Sequence, residues 1–241
     1  AERVAAMNGP SAVSRALAWS VHLYTALGAV LGLLAIVATV DGRVREAFAW
    51  MAAALVIDSS DGTLARAARV KEVVPTYDGS KLDDIVDYLN YVFVPVFFAV
   101  QMKMLPESSA MLIAAMPLLA SAYGFCQSAA KTADFFFTGF PSYWNVAVFY
   151  LYVFGATPKA NAVVLAVLAA LVFVPIGYVY PTRQPFLRPL TISLGVVWGV
   201  ALVILLARLP ERPAALIYGS LAFPIYYFAL SLYLHFGRRT P

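Results

Sequence analysis

The chain has 241 residues, of which 62% are hydrophobic and 12% charged, and its formal net charge is +4. Soluble domains carry about 25% charged residues, so this depletion, with a mean hydropathy of +0.78, excludes an ordinary water-soluble protein and indicates an integral membrane protein. The basic residues are scattered over short loops and form no single tract, which argues against nucleic acid as a partner and fits the cytoplasmic bias of Lys and Arg in membrane proteins.

In chain order, Ala1 to Pro10 is polar and lacks a basic stretch followed by an apolar core and cleavage site, so no cleavable leader is expected. Arg15 and Trp19, within Ser14 to Ser20, predict a short interfacial amphipathic helix. Eight apolar segments follow: His22–Val40, Arg45–Arg66, Ser80–Met102, Ser108–Ala129, Ser142–Gly155, Lys159–Tyr178, Leu187–Leu206 and Pro213–Leu234. Together they predict an all-α polytopic bundle of about eight transmembrane helices, the fifth notably short. No repeat or linker divides the chain, so residues 1–241 are read as one domain.

Gly28 and Gly32 form a Gly-x-x-x-Gly pair that permits close helix approach, either within the bundle or as the seam of a homodimer. Pro95, Pro175 and Pro224 are expected to kink their helices. Cys126 reads as core packing, and His22 and His235 as interfacial residues at span ends. With a cytoplasmic N-terminus, 11 of the 17 Lys and Arg face the cytoplasm, Arg3, Lys131, Arg238 and Arg239 among them. Both termini are then cytoplasmic, unless the fifth segment fails to cross, in which case the later loops change sides.

The chemistry concentrates between the second and third segments. Six of the eight aspartates fall between Asp58 and Asp87. A carboxylate at membrane depth is costly unless compensated, so such residues mark functional sites. Asp58 and Asp61 are spaced i, i+3, and Asp83 and Asp87 are spaced i, i+4, so each pair shares a helix face. The hairpin through 67–78 brings both pairs to one depth, where four carboxylates converge. Divalent cations would relieve their repulsion, and an all-oxygen set favours two Mg²⁺ or Mn²⁺ ions over zinc. Paired metals suit phosphoryl-type displacement. Gly62 and Gly79 would let a nucleotide or pyrophosphate approach the backbone, with simple packing as the plainer alternative, and Ala65 is small on the same side. Arg66 can pair with a phosphate or with the acids. Asp84 points off the shared face and is expected to pair with Lys81 or Arg66.

The pattern Asp58-x-x-Asp61-Gly62-x-x-Ala65-Arg66, then Gly79-x-x-x-Asp83-x-x-x-Asp87, resembles the signature of the CDP-alcohol phosphotransferases at every fixed position. The resemblance implies transfer of a phosphatidyl-type group from a CDP-linked donor to an alcohol, with release of CMP. It implies that Asp58, Asp61, Asp83 and Asp87 hold the metals, that Asp87 also takes the proton of the alcohol, and that Gly62, Ala65, Arg66 and Gly79 shape the CDP site. The 12 residues between Arg66 and Gly79 are more than most of the family has, and eight segments exceed its usual number. Both features resemble the bacterial phosphatidylcholine synthase branch, as do Val70-Lys71-Glu72, Asp78-Gly79-Ser80-Lys81-Leu82-Asp83 and Gly139-Phe140-Pro141-Ser142-Tyr143-Trp144-Asn145. That branch implies CDP-diacylglycerol and choline as substrates at the cytoplasmic face of a bacterial inner membrane.

The acceptor can also be read from side-chain chemistry. A polyol phosphate or serine calls for Arg or Lys, whereas choline is a cation suited to aromatic faces. The stretch from Lys131 to Trp144 holds Phe135, Phe136, Phe137, Phe140, Tyr143 and Trp144 beside Asp134, with only Lys131 basic. Tyr88 and Tyr91 follow Asp87. Tyr88, Tyr91, Asp134, Tyr143 and Trp144 are therefore the candidate choline contacts, against an interfacial aromatic belt as the plainer account. Serine or a polyol phosphate as acceptor remains an alternative, and so does a cation transporter. The transporter is disfavoured because such sites sit near the midplane between repeats.

Overall fold

The computed structural model describes residues 10–128, 132 and 134–237. Arg3, Lys131, Arg238 and Arg239, counted in the basic bias above, lie outside the described residues, as does the end of the fourth segment at Ala129. The helices are α1 (Ala12–Val40), α2 (Val44–Ala67), the single turn α3 (Val70–Val73), α4 (Gly79–Asp87), α5 (Val94–Gln101), α6 (Ala110–Phe125), α7 (Trp144–Phe154), α8 (Pro158–Val172), α9 (Arg188–Ala207), α10 (Ala214–Ser220) and α11 (Ala222–Gly237). A π-helix, Tyr88–Phe93, joins α4 to α5. Strands β1 (Phe136–Thr138) and β2 (Gly177–Val179) pair antiparallel, Phe137 opposite Tyr178.

Each of the eight apolar segments contains helix. Among the described residues, three stretches are by themselves long and apolar enough to cross a membrane: α1, α9 and the Ala214–Gly237 pair of α10 and α11. By contrast α7, with 11 residues, is about 16 Å long at 1.5 Å per residue, about half the hydrocarbon thickness. The loop before it and the two strands pack beside it. Non-helical backbone is tolerated at membrane depth where protein buries it, and Phe136, Phe140, Tyr178 and Val179 are buried.

Several boundaries differ from expectation. The interfacial helix is no separate element, because α1 runs unbroken from Ala12; Ser11 caps it by accepting from the Ser14 amide, and no breaker separates Ser20 from Val21. The sixth segment ends at Val172, and Gly177 to Val179 becomes strand, which leaves Pro175 in a loop and not at a kink. Pro224 does interrupt helix: its ring falls four residues after Ser220, the last residue of α10. Pro95 lacks the N–H that would return to the Tyr91 carbonyl, and just before it the Val94 amide bonds Leu89 in a π-type turn.

The long helices alternate in direction. One end of the bundle gathers residues 41–45, 102–109, 154–161 and 208–213: Arg45 donates to the Leu209 carbonyl, Asn161 donates to the Met104 carbonyl at 2.8 Å, and Arg212 lies 4.8 Å from the Tyr152 ring. The other end gathers the C-termini of α2, α6 and α8 with the N-termini of α4 and α7. Between them the core is built on fully buried Phe98, Trp144, Leu165 and Leu205. The outer face is apolar too: Val196, Val197, Val200 and Val203 of α9 are each more than half exposed, a surface suited to lipid.

Gly28 and Gly32 face inward. A Cβ at Gly28 would lie 2.5 Å from Val86 Cγ1, and one at Gly32 would lie 2.8 Å from Asn90 Oδ1. The pair therefore packs α1 against α4 and the π-helix, and it is not a dimer seam. Asn90 secures the contact by donating to the carbonyls of Gly28 and Val86, both at 3.0 Å.

Candidate functional site

The helix spacing of the acids translates directly into geometry. Asp58 and Asp61 sit near the C-terminal end of α2. Asp83 and Asp87 lie on α4, whose start is set by Asp78; its side chain accepts from the amides of Ser80 (3.1 Å) and Lys81 (3.2 Å). One carboxylate oxygen from each of Asp58, Asp83 and Asp87 lies within 4.8 Å of the others. Three carboxylates this close repel strongly as anions, and as hard oxygen donors they suit a divalent cation of the Mg²⁺ or Mn²⁺ kind. Four carboxylates were expected to converge, but Asp61 lies outside this trio: it is buried on α2 with its Oδ2 accepting from Thr25 Oγ1 of α1 at 2.8 Å. The Tyr91 hydroxyl donates to Asp58 Oδ2 at 2.6 Å.

The acids border a cavity of about 260 Å³ at the end of the bundle where α2, α6 and α8 finish. Asp58, Asp61, Gly62, Asp83, Asp84 and Asp87 form one wall. Phe125, Phe137, Phe140, Tyr143 and Tyr180 line the rest, with Tyr91, Thr138 and Ser142. The Phe137 and Tyr180 rings stand 4.9 Å apart. Among the described lining residues there is no Lys or Arg.

Comparison with known proteins bears on this geometry. The chain is 41% identical to a phosphatidylcholine synthase of Legionella pneumophila over 223 residues, covering 90% of this chain and 88% of that protein. It is 39% identical to a phosphatidylcholine synthase of Pseudomonas aeruginosa (82% and 83% covered) and 35% identical to one of Rhizobium meliloti (90% and 90%). The chain belongs to the phosphatidylcholine synthase family. No protein-family profile matches it. The relatives are bacterial, and the long apolar helices fit a multi-pass membrane protein.

Residues singled out from the sequence are not all brought together in this phosphatidylcholine synthase relative. Gly62 lines the cavity, and a Cβ there would meet only Arg66 Nη1 at 3.5 Å. Ala65 packs toward Ala18 and Val21 of α1, Val70 of α3 and Val74 just after it. Arg66 is exposed and donates to Thr63 Oγ1 at 2.9 Å. Gly79 adjoins α1, where a Cβ would lie 2.7 Å from the His22 ring. Asp84 lines the cavity, while its expected partner Lys81 pairs with Asp78 at 3.8 Å.

Among the aromatic candidates, Tyr143 lines the cavity with its ring 6.4 Å from Tyr227, and Tyr91 reaches Asp58. Tyr88 turns away to donate to the Leu118 carbonyl at 2.9 Å. Trp144 is fully buried, with its indole N–H on Ser121 Oγ at 2.7 Å, and does not line the cavity. Asp134 is exposed in the loop and accepts from Thr132 at 2.6 Å. Cys126, expected in the core, caps the end of α6 and is exposed. His22, read as interfacial, is buried against the Trp19 and Tyr77 rings.

Phe125, Tyr180 and Ser142 were not singled out as site residues, and they enter the cavity wall through contacts distant in sequence. Gly139 offered a signal. Its φ is +79°, and a Cβ would lie 2.2 Å from the Val172 carbonyl oxygen, so only glycine lets this loop close onto the end of α8.

Proposed function

We propose that this chain transfers the phosphatidyl group of CDP-diacylglycerol to choline, forming phosphatidylcholine and CMP at the cytoplasmic face of a bacterial inner membrane. The observation that carries this is one cavity with clustered carboxylates on one wall and aromatic rings on the other, in a chain of this family. The topology is read as eight crossings, with the cavity end cytoplasmic because Arg66, Arg69, Lys71, Lys81, Arg183 and Arg188 lie toward it.

Asp58, Asp83 and Asp87, with Asp61 beside them, would hold one or two Mg²⁺ or Mn²⁺ ions. Bound there, such ions neutralise the donor's pyrophosphate and stabilise charge on the leaving CMP. The choline oxygen attacks the phosphorus that bears the diacylglycerol. The bond from that phosphorus to the bridging oxygen breaks, and CMP leaves with the bridging oxygen. Asp87 takes the choline hydroxyl proton. Gly62 leaves room for the nucleotide against α2, and the acyl chains enter from lipid between helices.

Phe125, Phe137, Phe140, Tyr143 and Tyr180 would face the trimethylammonium group, whose attraction to rings is electrostatic. A wall without basic side chains among its described residues disfavours a polyol phosphate or serine. Replacing Phe137 or Tyr143 by Leu removes a ring worth about 0.5–2 kcal/mol to a cation, so the KM for choline should rise about 2- to 30-fold. The KM for CDP-diacylglycerol should stay near its original value. An unchanged choline KM in both variants would exclude this wall as the acceptor site.

A further inference from the structure

We propose that Tyr91 is a positioning residue for Asp58, and that its hydroxyl serves the cation site and not the choline wall. The inference rests on the function proposed above. Tyr91 is 8% exposed, and its hydroxyl donates to Asp58 Oδ2 across an interhelical contact at 2.6 Å. A buried hydroxyl and a half-buried carboxylate are each costly without a partner, so the bond holds both side chains in one orientation. It fixes the rotation of the Asp58 carboxylate relative to Asp83 and Asp87, which come from a different helix.

The backbone around Tyr91 is built to keep this bond. Tyr91 lies in the π-helix immediately after Asp87, a backbone form enriched at functional sites. The adjacent Asn90 anchors that segment to α1 by donating to the Gly28 carbonyl, and Tyr88 anchors it to α6 through the Leu118 carbonyl. The helix cannot roll without breaking one of these bonds, so the Tyr91 hydroxyl stays directed at Asp58. Thr25 does the corresponding work for Asp61. Each aspartate of α2 thus has a hydroxyl donor from a neighbouring helix. Hydrogen-bond partners that orient a metal ligand are worth about 10- to 100-fold in metal affinity.

The test is a titration of the purified, metal-free protein with Mn²⁺ in the absence of substrates, following the electron paramagnetic resonance signal of free Mn²⁺. Tyr91→Phe should bind Mn²⁺ about 10- to 100-fold more weakly than the unsubstituted protein. Tyr150→Phe, which removes a hydroxyl that is bonded to Ser220 and the Trp198 indole and lies outside the cavity lining, should bind it equally. At saturating Mn²⁺ the choline KM of Tyr91→Phe should match that of the unsubstituted protein. Thermal unfolding of the metal-free variants checks that both are folded. Unchanged Mn²⁺ affinity in folded Tyr91→Phe, or a raised choline KM at saturating Mn²⁺, would overturn the proposal while leaving the proposed function standing. Absence of Mn²⁺ binding by the unsubstituted protein would overturn both.

Discussion

Asp87→Asn should abolish turnover while CDP-diacylglycerol still binds. Asparagine keeps the size and polarity of the side chain but cannot accept a proton from the alcohol at neutral pH. Removing a positioned general base costs about 10²–10⁴-fold in rate. The substitution also removes one negative charge from a cluster whose oxygens lie within 4.8 Å, so half-saturation should need more Mn²⁺. The two effects separate when CMP release is measured at saturating Mn²⁺: cation loading recovers there, and proton acceptance does not. Retention of labelled CDP-diacylglycerol by the detergent-solubilised variant checks the donor side. Turnover near the unsubstituted rate at saturating Mn²⁺ would remove Asp87 from the role of base.

Chelation should be as damaging. Without a cation, the donor's pyrophosphate would meet Asp58, Asp83 and Asp87 directly. Two like charges 4 Å apart repel by about 4 kcal/mol at an effective dielectric constant near 20, or roughly 10³-fold in binding or rate. Several such pairs would face one another here, so exhaustive EDTA treatment should reduce CMP release to background. Mn²⁺ or Mg²⁺ should restore it, because the donor set is all oxygen. Activity that survives complete chelation would contradict the reading of these acids as cation ligands.

The acid site was legible because helix periodicity converts sequence spacing into geometry. Asp58 with Asp61, and Asp83 with Asp87, share faces whatever the rest of the bundle does, and the hairpin between α2 and α4 sets their depth. The opposing wall was legible only as composition. A run of aromatics announced a site or a belt but could not say which rings turn inward. Phe137 and Tyr180 meet because β1 pairs with β2 across the whole of α7 and α8, a contact with no local signal. Trp144 looked like a choline contact, yet its indole N–H has a buried partner in Ser121 and its ring fills the core. Glycine had two uses that sequence cannot separate: Gly62 leaves open space beside the acids, while Gly79 makes room for a buried histidine.

The interfacial segment before α1 failed for a related reason. Arg15 and Trp19 mark an interface, but a long helix can pass through an interface without breaking. The first turns of α1 then serve as a platform: Ala18 and Val21 receive Val70 and Val74 from the long connection between α2 and α4. The extra length between Arg66 and Gly79 is thus accommodated by packing on α1.

The acceptor alcohol is decided by one assay: CMP release by the purified protein from CDP-diacylglycerol at saturating Mn²⁺, with choline, serine or glycerol phosphate offered separately. Choline should support release and yield phosphatidylcholine, and the other two should leave it at background. CMP released with serine or glycerol phosphate but not with choline would contradict the assignment.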